Sequence, residues 1–281
     1  MPYPTVPGPY GLKPINLIGG QVFAGSTREL PIQYGYATNI FYGDFVVLSR
    51  GFATRAAVST GTGSNQVTGV FLGCSYTNPT TKQKQFSQYW PASTLAGDAV
   101  AIVCDDPDTV FKAVVCSSGT TLASGALALV GTNLSMIDNS TGNVNTGDST
   151  NAVLAPTATP VTTILPVRCV GVVPDTAYSF NATGSSSSTT ITLTGSGTPQ
   201  AIPVGTSVAY VASNGQVIQT SSFVSSAAVA GATSVTLNAA IAVPGSVTAI
   251  PASSTIIFTV YNEILVKMNL LVHGYYSSTT A

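Results

Sequence analysis

The chain has 281 residues, of which only 7% are charged, and its formal net charge is −1. Such a chain offers no basic surface to a nucleic-acid backbone, and its longest purely apolar stretches, about six residues, are far shorter than a transmembrane helix. With one histidine and few Asp, Glu, Lys or Arg side chains, the composition points away from an enzyme and towards a β-rich structural protein.

The first 37 residues predict an extended N-terminal arm. Prolines at positions 2, 4, 7, 9 and 14 block helix formation and favour polyproline-like backbone. Docking of this arm onto a neighbouring subunit is our main prediction, and an arm folded back on its own domain is the alternative. The anchoring side chains would be Tyr3, Tyr10, Leu12, Ile15 and Leu17.

Residues 38–175 together with 256–281 predict a small β-barrel. Short apolar runs bounded by turn residues indicate strands, and the clearest are Asp44–Ser49, Val67–Gly73, Ala99–Cys104 and Val110–Val115. The run Gly125–Val130 resembles Gly43–Leu48, and each is followed later by a Gly- and Val-rich run, so a repeated turn–strand unit is predicted. A barrel closed by its own returning strands suits such units.

Residues 176–255 predict a second β-domain, a sandwich or barrel, inserted into the first. No Asp, Glu, Lys or Arg occurs between Asp175 and Glu263, and Thr alternates with Ile, Val and Leu as in half-buried strands. Asn214 and Gly215 favour a two-residue type I′ hairpin turn. The amphipathic run Tyr261–Leu270 restores charge and predicts a strand of the first domain.

Few side chains are candidates for chemistry. The one histidine, His273, lies in a Gly-Tyr-Tyr-Ser tail after a strand, where such a residue is usually part of the tail or a contact and not a catalytic base. Asp105, Asp106 and Asp108 read as a solvated turn, with a Ca²⁺ site as the alternative. We therefore expect no catalytic residue, metal or cofactor. The cysteines form no CxxC pair and are predicted to be free, buried and apolar in character: Cys74, Cys104, Cys116 and Cys169.

The segment Thr77–Trp90 combines two lysines with three aromatic side chains, Phe86, Tyr89 and Trp90. Stacking of bases on aromatic rings beside cations is one use of such residues, but two lysines supply little attraction for phosphate. Aromatic residues are also enriched at protein interfaces. We predict protein contact or local packing here, and no binding of nucleic acid.

Gly43–Leu48 followed by Val70–Gly73 resembles the turn–strand signature of tailed-phage head-decoration, or cement, proteins. The arm and the strand Glu263–Met268 add to this resemblance, and Gly69–Lys82 is similar to segments of virion structural proteins of aquatic phages. The resemblance covers roughly residues 1–175 and 260–281. It implies a β-barrel on the outer surface of an icosahedral capsid, in contact with neighbouring major capsid subunits and often trimeric.

We therefore expect a non-enzymatic capsid clamp, made in the host cytoplasm and without membrane contact, that works as a homo-oligomer with a trimer favoured. Phe45, Phe71 and Trp90 should matter through packing or contact. The alternative is a phage fibre or adhesin module that binds host glycans through the insert. A polysaccharide-degrading enzyme with paired carboxylates is a further alternative.

Overall fold

A computed structural model describes residues 6–57, 67–155, 165–241 and 249–269. Tyr3 and His273 lie outside these described residues. Within them the chain is all-β, since regular helix is limited to the 3₁₀ turns Leu127–Leu129 and Pro174–Thr176. The predicted all-β class is therefore confirmed.

The structure has 22 strands in the described residues, and several are only two residues long. In chain order they are β1 (Lys13–Leu17), β2 (Arg28–Pro31), β3 (Ile40–Phe41), β4 (Phe45–Ser49), β5 (Phe52–Arg55), β6 (Gly69–Thr77), β7 (Lys84–Ser87), β8 (Tyr89–Trp90), β9 (Val100–Cys104), β10 (Thr109–Ser118), β11 (Thr121–Leu122), β12 (Asn133–Leu134), β13 (Met136–Ile137), β14 (Ala152–Leu154), β15 (Val167–Val172), β16 (Tyr178–Ser187), β17 (Thr190–Leu193), β18 (Ser207–Val211), β19 (Val217–Phe223), β20 (Ser234–Thr236), β21 (Ser254–Val260) and β22 (Glu263–Met268).

One sheet is nearly closed into a barrel, in the order β12–β15–β22–β10–β14–β13. Only Ser135 separates β12 from β13, so these two short strands join the ends of the sheet. The amide of Leu154 donates to the Ser135 carbonyl at 2.9 Å and holds this connection against β14. Alternate side chains fill the interior, as the two-residue period of a strand requires: Phe111, Ala113 and Val115 from β10 and Ile264, Val266 and Met268 from β22.

A second sheet, ordered β2–β9–β6–β4–β5 with β7 beside β6, packs against this barrel. Phe45 and Val70 point into the barrel's core, whereas their neighbours Val46 and Phe71 point into a separate core on the other face. The two-residue period thus assigns successive side chains to two cores. We call the barrel and this sheet together the base.

Residues 178–241 and 249–260 form a second barrel, which we call the insert. Its order is β19–β18–β21–β16–β17–β20, and a bridge between Val224 and Leu237 brings the two end strands together. The amide of Ser225 donates to the Thr236 carbonyl at 3.0 Å across the same closure. Ile, Val, Leu and Phe side chains fill its centre.

The insert ends later than the predicted boundary at residue 255. β21, Ser254–Val260, pairs with β16 and β18 of the insert, and Ile256, Phe258 and Val260 are buried in the insert's core. The return of charge at Glu263 marks the boundary, because β22 begins there and belongs to the base.

Two local predictions are corrected. Gly125–Val130 is not a strand: it contains a 3₁₀ turn, and a Cβ at Gly125 would lie 2.3 Å from Ile264 Cγ2. The predicted repeat therefore fails at its second unit. The β18–β19 hairpin exists, but the Ala212 amide donates to the Gln216 carbonyl at 2.8 Å around a three-residue loop in which Gly215 has φ 82°.

The base and the insert are packed together. The Ser124 amide donates to the Val204 carbonyl at 2.8 Å, and Ser124 Oγ accepts from the Tyr261 amide at 2.9 Å. Gly205 has φ +85°, and a Cβ there would lie 1.8 Å from the Ser124 carbonyl oxygen. Phe223 of the insert is buried in the base core. These contacts fix the insert on the base barrel.

Candidate interaction surface

The described part of the arm folds back on this chain, which was the alternative prediction. β1 pairs with β10 and β2 with β9, so residues 13–17 and 28–31 are strands of the base. Leu12 is fully buried in the base core. We therefore withdraw Leu12 as a contact residue for another subunit.

Glycines allow the arm to cross the base closely. The Leu12 amide donates to the Gly43 carbonyl at 3.1 Å. A Cβ at Gly43 would lie 2.6 Å from the Leu12 nitrogen, and a Cβ at Gly11 would lie 2.8 Å from the Gly43 oxygen. Both glycines have positive φ, a conformation that L side chains adopt rarely. The Gly43 turn of the sequence signature thus serves as the crossing point of the arm.

Tyr10 anchors the arm on the outside of the base barrel. Its hydroxyl donates to Glu263 Oε1, and Lys112 Nζ lies 3.4 Å from the same oxygen. Lys13 Nζ lies 4.5 Å from the Tyr10 ring centroid. Burial raises the pKa of Tyr10, and Glu263 raises it further through the hydrogen bond and its charge. Half-buried Tyr10 therefore acts first as a contact within this chain.

Trp90 is not a surface residue, so its prediction as a contact residue is wrong. It is fully buried, its Nε1 donates to the Tyr36 carbonyl at 3.3 Å, and its ring meets Tyr76 edge to face at 5.4 Å. Its neighbour Tyr89 is half-buried and stacks on Phe41 at 5.5 Å. β8 pairs with β3, and both rings pack against residues of this same chain.

Phe86 remains the most exposed predicted contact residue, at 81% exposure, and Ile15 follows at 41%. Leu17 is half-buried. Phe86 lies on β7, which forms a hairpin with β6. Asp98 supports that hairpin: its carboxylate accepts from the Thr77 amide at 3.0 Å and lies 3.0 Å from Lys84 Nζ. The hairpin therefore presents Phe86 from an ordered strand.

The base has further exposed apolar side chains, which the sequence analysis does not name as contact residues. They are Ile18, Val22, Tyr34, Leu48, Phe52, Leu95, Leu127, Val130 and Val144. Exposed apolar groups of this kind are typical of interaction surfaces when they form patches. Leu95 packs beside Gly35, where a Cβ would lie 3.4 Å from Leu95 Cδ2.

A cleft opens between β6, β7 and the arm, with a volume of about 550 Å³. Phe86 and Tyr42 supply aromatic surface, while Lys13 and Gln88 supply polar groups. Lys13 Nζ lies 3.3 Å from Asp148. The full lining is Lys13, Tyr42, Leu72, Gly73, Cys74, Phe86, Ser87, Gln88 and Ile102. Sequence analysis did not predict this cleft, because it forms only when the arm returns to the base.

A buried polar cluster joins the two sheets of the base. Asp44 is fully buried, and its Oδ1 accepts from Ser149 Oγ at 2.6 Å and from Asn151 Nδ2 at 2.9 Å. Its Oδ2 accepts from the Phe41 amide at 2.9 Å. Burial raises the pKa of Asp44, whereas the hydrogen bonds from Ser149 and the Phe41 amide and the charge of Arg55 act in the opposite direction.

Arg55 lies between two carboxylates of this cluster. Its Nε is 3.4 Å from Asp44 Oδ2, and its Nη2 donates to Asp138. The Tyr36 hydroxyl accepts from the Arg55 amide at 3.0 Å. The arrangement is a buried ion triad that holds the loop containing Asp138 against strand β5. Its role is structural.

The aspartates after β9 are engaged separately. Arg28 lies 2.6 Å from Asp105, Lys267 lies 3.4 Å from Asp108, and Asp106 Oδ1 accepts from the Asp108 amide. Asp106 thus forms an Asx turn. Among the described residues, no group of three or more His, Cys, Asp or Glu side chains is placed to hold a metal ion.

All four cysteines are free and buried, as predicted. Burial raises the pKa of Cys74 to about 12 and that of Cys116 and Cys169 to about 11. These thiols stay neutral at physiological pH. In the part of the chain that the structure describes, helices long and apolar enough to cross a membrane are absent.

Comparison with protein-family models, with curated proteins and with solved structures finds no match to this chain.

Proposed function

We propose that this protein decorates the outer surface of an icosahedral phage capsid and bridges neighbouring major capsid subunits without enzymatic activity. The observation that carries the proposal is the exposure of Phe86 and Ile15, with further apolar side chains, on the base of a chain that is 7% charged. Apolar and aromatic groups on ordered strands suit protein contact.

The sequence signature that resembles decoration proteins supports the proposal by its position. Gly43 turns the chain at the arm crossing, and Phe45 pairs with Val70 between β4 and β6. The signature thus lies in the same sheet as β7, which carries Phe86. In this proposal the sheet and the arm face the capsid.

The insert faces solvent in the proposed orientation. Its outward-facing residues include Ser179, Asn181, Thr183, Thr192 and Ser221, all exposed. Hydroxyl and amide groups keep this surface hydrated without charge, while apolar side chains fill the inward faces. Several weak contacts from the base would then act together at high effective concentration, as in other multivalent binders.

The test measures occupancy on capsids. The chain is co-expressed with the major capsid protein of the phage that encodes it, and occupancy is read by electron cryo-microscopy. The double variant Phe86→Ala/Ile15→Ala should lose most of its occupancy, whereas the control Val217→Ala, at an exposed position of the insert, should bind like the parent. Equal occupancy of all three, or binding to cell-surface glycans without capsids, would refute the proposal.

A second variant tests the orientation. Residues 177–261 are replaced by a short Gly/Ser bridge, because a deletion that stops at residue 254 would leave the apolar strand β21 without its barrel. Phe223 and Val204, which cover the base core, are lost with the insert, so folding is checked first by circular dichroism. A folded variant that no longer binds capsids would place the contact on the insert.

A further inference from the structure

Residues 6–10 cross the outer face of the base barrel as a strap that is held at its two ends. Val6 is 6% exposed and lies in an apolar cluster with residues of β10. At the other end, the Tyr10 hydroxyl donates to Glu263 Oε1. Between these ends, a Cβ at Gly8 would have no heavy atom within 4 Å apart from its chain neighbours. The chain therefore stands clear of the barrel in the middle of the strap.

The sequence of the strap limits its backbone hydrogen bonds. Pro7 and Pro9 have no N–H group and cannot donate. Just beyond the strap the arm is fixed firmly, because the Gly11 amide donates to the Asn151 carbonyl at 3.0 Å and Leu12 is fully buried. The strap can therefore move about the bonds that precede Gly11 while the rest of the arm stays in place.

Closure of the strap leaves a buried oxygen without a partner. Glu263 is 2% exposed, and its Oε1 accepts from Tyr10 and lies 3.4 Å from Lys112 Nζ. Its Oε2 has no hydrogen-bond partner among the described residues. A carboxylate oxygen that is buried without a partner loses the hydration that it has in water. The closed strap is therefore stabilised by less than its contacts alone would give, since departure of Tyr10 opens the carboxylate to water.

The strap covers an apolar face of the barrel. Val115 of β10 points into the barrel interior, whereas its neighbours Val114 and Cys116 belong to the outer cluster that contains Val6. This alternation follows from the two-residue period of a strand. Ile137 of β13 belongs to the same outer cluster. Departure of Val6 would uncover these side chains.

We propose that residues 6–10 open and close over this apolar face about Gly11, and that Tyr10 and Glu263 form the latch of the strap. The closed form hides the outer cluster, and the open form presents it. This inference goes beyond the proposed function, because decoration of a capsid does not require a movable strap. In the proposed orientation the arm faces the capsid, so an open strap adds apolar surface on that side. The test is made in solution without capsids, and its failure leaves the capsid proposal standing.

Cys116 reports the open form, and Cys169 is its reference. Cys169 lies inside the barrel and should react only when the base unfolds. The native full chain is treated with iodoacetamide at several low urea concentrations, and labelling of each cysteine is followed by peptide mass spectrometry. Cys116 should react at least about tenfold faster than Cys169, with little dependence on urea, because a local opening exposes little surface. Equal rates with equal dependence on urea would overturn the proposal.

Variants at the two ends of the strap should raise the labelling rate of Cys116. Val6→Ala removes most of the apolar anchor, and Tyr10→Phe removes the donor to the Glu263 carboxylate. Each change should raise the rate about tenfold, since both weaken the closed form and leave the open form unaltered. An unchanged rate in both variants would mean that a different motion exposes Cys116, and it would contradict the proposal.

A double variant tests the latch itself. Tyr10→Phe together with Glu263→Leu replaces both partners by apolar side chains and removes the unpaired oxygen, a change that is often neutral or stabilising for a buried polar pair. The labelling rate of Cys116 should therefore return to the parent value or fall below it. The matched controls Val22→Ala and Tyr34→Phe make the same kinds of change at exposed positions and should label like the parent. A double variant that reacts as fast as Tyr10→Phe alone would refute the latch.

Discussion

The base and the insert are both barrels, yet they are stabilised by different side chains. The insert has no charged residue between Asp175 and Glu263 and relies on alternation of apolar and hydroxyl side chains. The base contains the buried Asp44–Arg55–Asp138 triad, which joins its two sheets, and all four cysteines. Buried charge therefore connects separate layers of the base, whereas the insert's barrel is filled by apolar side chains alone.

Replacing Arg55 by leucine should have the largest effect and should fall on the base. The change leaves Asp44 and Asp138 buried without their cation, and breaking a buried ion pair in this way costs about 3–5 kcal/mol. Urea unfolding measures the total loss, and hydrogen–deuterium exchange locates it. The exposed Arg168, changed to leucine, is the control. A loss below about 1 kcal/mol for Arg55→Leu, close to typical surface substitutions, would show that the triad is not a structural tie.

Gly205→Ala should destabilise the junction between the base barrel and the insert. A methyl group would lie 1.8 Å from the Ser124 carbonyl oxygen, at a residue with φ +85°. Backbone strain and overpacking together should cost about 2–4 kcal/mol. Exchange should increase at Ser124 and Gly125 while β16 and β21 stay protected. The control is Gly215→Ala, since Gly215 also has positive φ but has open space around its Cβ. If Gly215→Ala lowers the free energy of unfolding by as much, backbone strain alone explains the effect and the close contact at the junction contributes nothing.

Alkaline pH should weaken the base and spare the insert. Burial raises the pKa of Cys74 to about 12 and of Cys116 and Cys169 to about 11, so the unfolded chain releases these protons first. Stability from these thiols is complete at neutral pH, begins to fall as pH approaches the ordinary thiol pKa of about 8.5–9, and is lost further as pH rises towards the folded values. We expect a decrease of about 2 kcal/mol between pH 7.5 and 9.5. Chemical denaturation at each pH measures it, and Cys74→Ala should flatten the decline. A flat profile in the parent would contradict the assignment.

Val217→Thr should have the smallest effect. Val217 is 55% exposed at the start of β19 in the insert, and threonine has a similar shape and strand preference. The free energy of unfolding should change by less than about 0.5 kcal/mol. A larger loss in thermal or urea unfolding would mean that the outward face of the insert is covered, which the solvent-facing orientation forbids.

Much of the strand content could be predicted because it depends on local pattern. Phe45–Ser49, Val100–Cys104 and Glu263–Met268 follow runs that alternate or bury apolar side chains. Gly125–Val130 has the same composition but forms a turn, since Gly125 bridges to Tyr261, 136 residues later in the chain. Pairing over such separations leaves no local signal.

The candidate surface was harder to predict than the fold. Phe86 and Trp90 lie four residues apart in one aromatic segment, yet Phe86 is exposed and Trp90 is buried. Trp90 is buried because β8 pairs with β3. The hydrophobicity of the two side chains does not distinguish them. The β4–β5 turn was missed for a related reason: Arg50 and Gly51 both have positive φ, as in a type I′ turn, but arginine is not a usual residue for it.

The position of β22 has a consequence for synthesis on the ribosome. β22 lies between β15 and β10 in the base barrel but follows the whole insert in the chain. The insert's strands are contiguous in sequence, so its barrel can form while the base still lacks a central strand. Since the ribosome adds about 5–20 residues per second, the base barrel lacks this strand, and its interior is open, for several seconds while the insert is synthesised. The nascent chain then exposes Phe111 and Val115, which makes it a natural client for chaperones until β22 emerges.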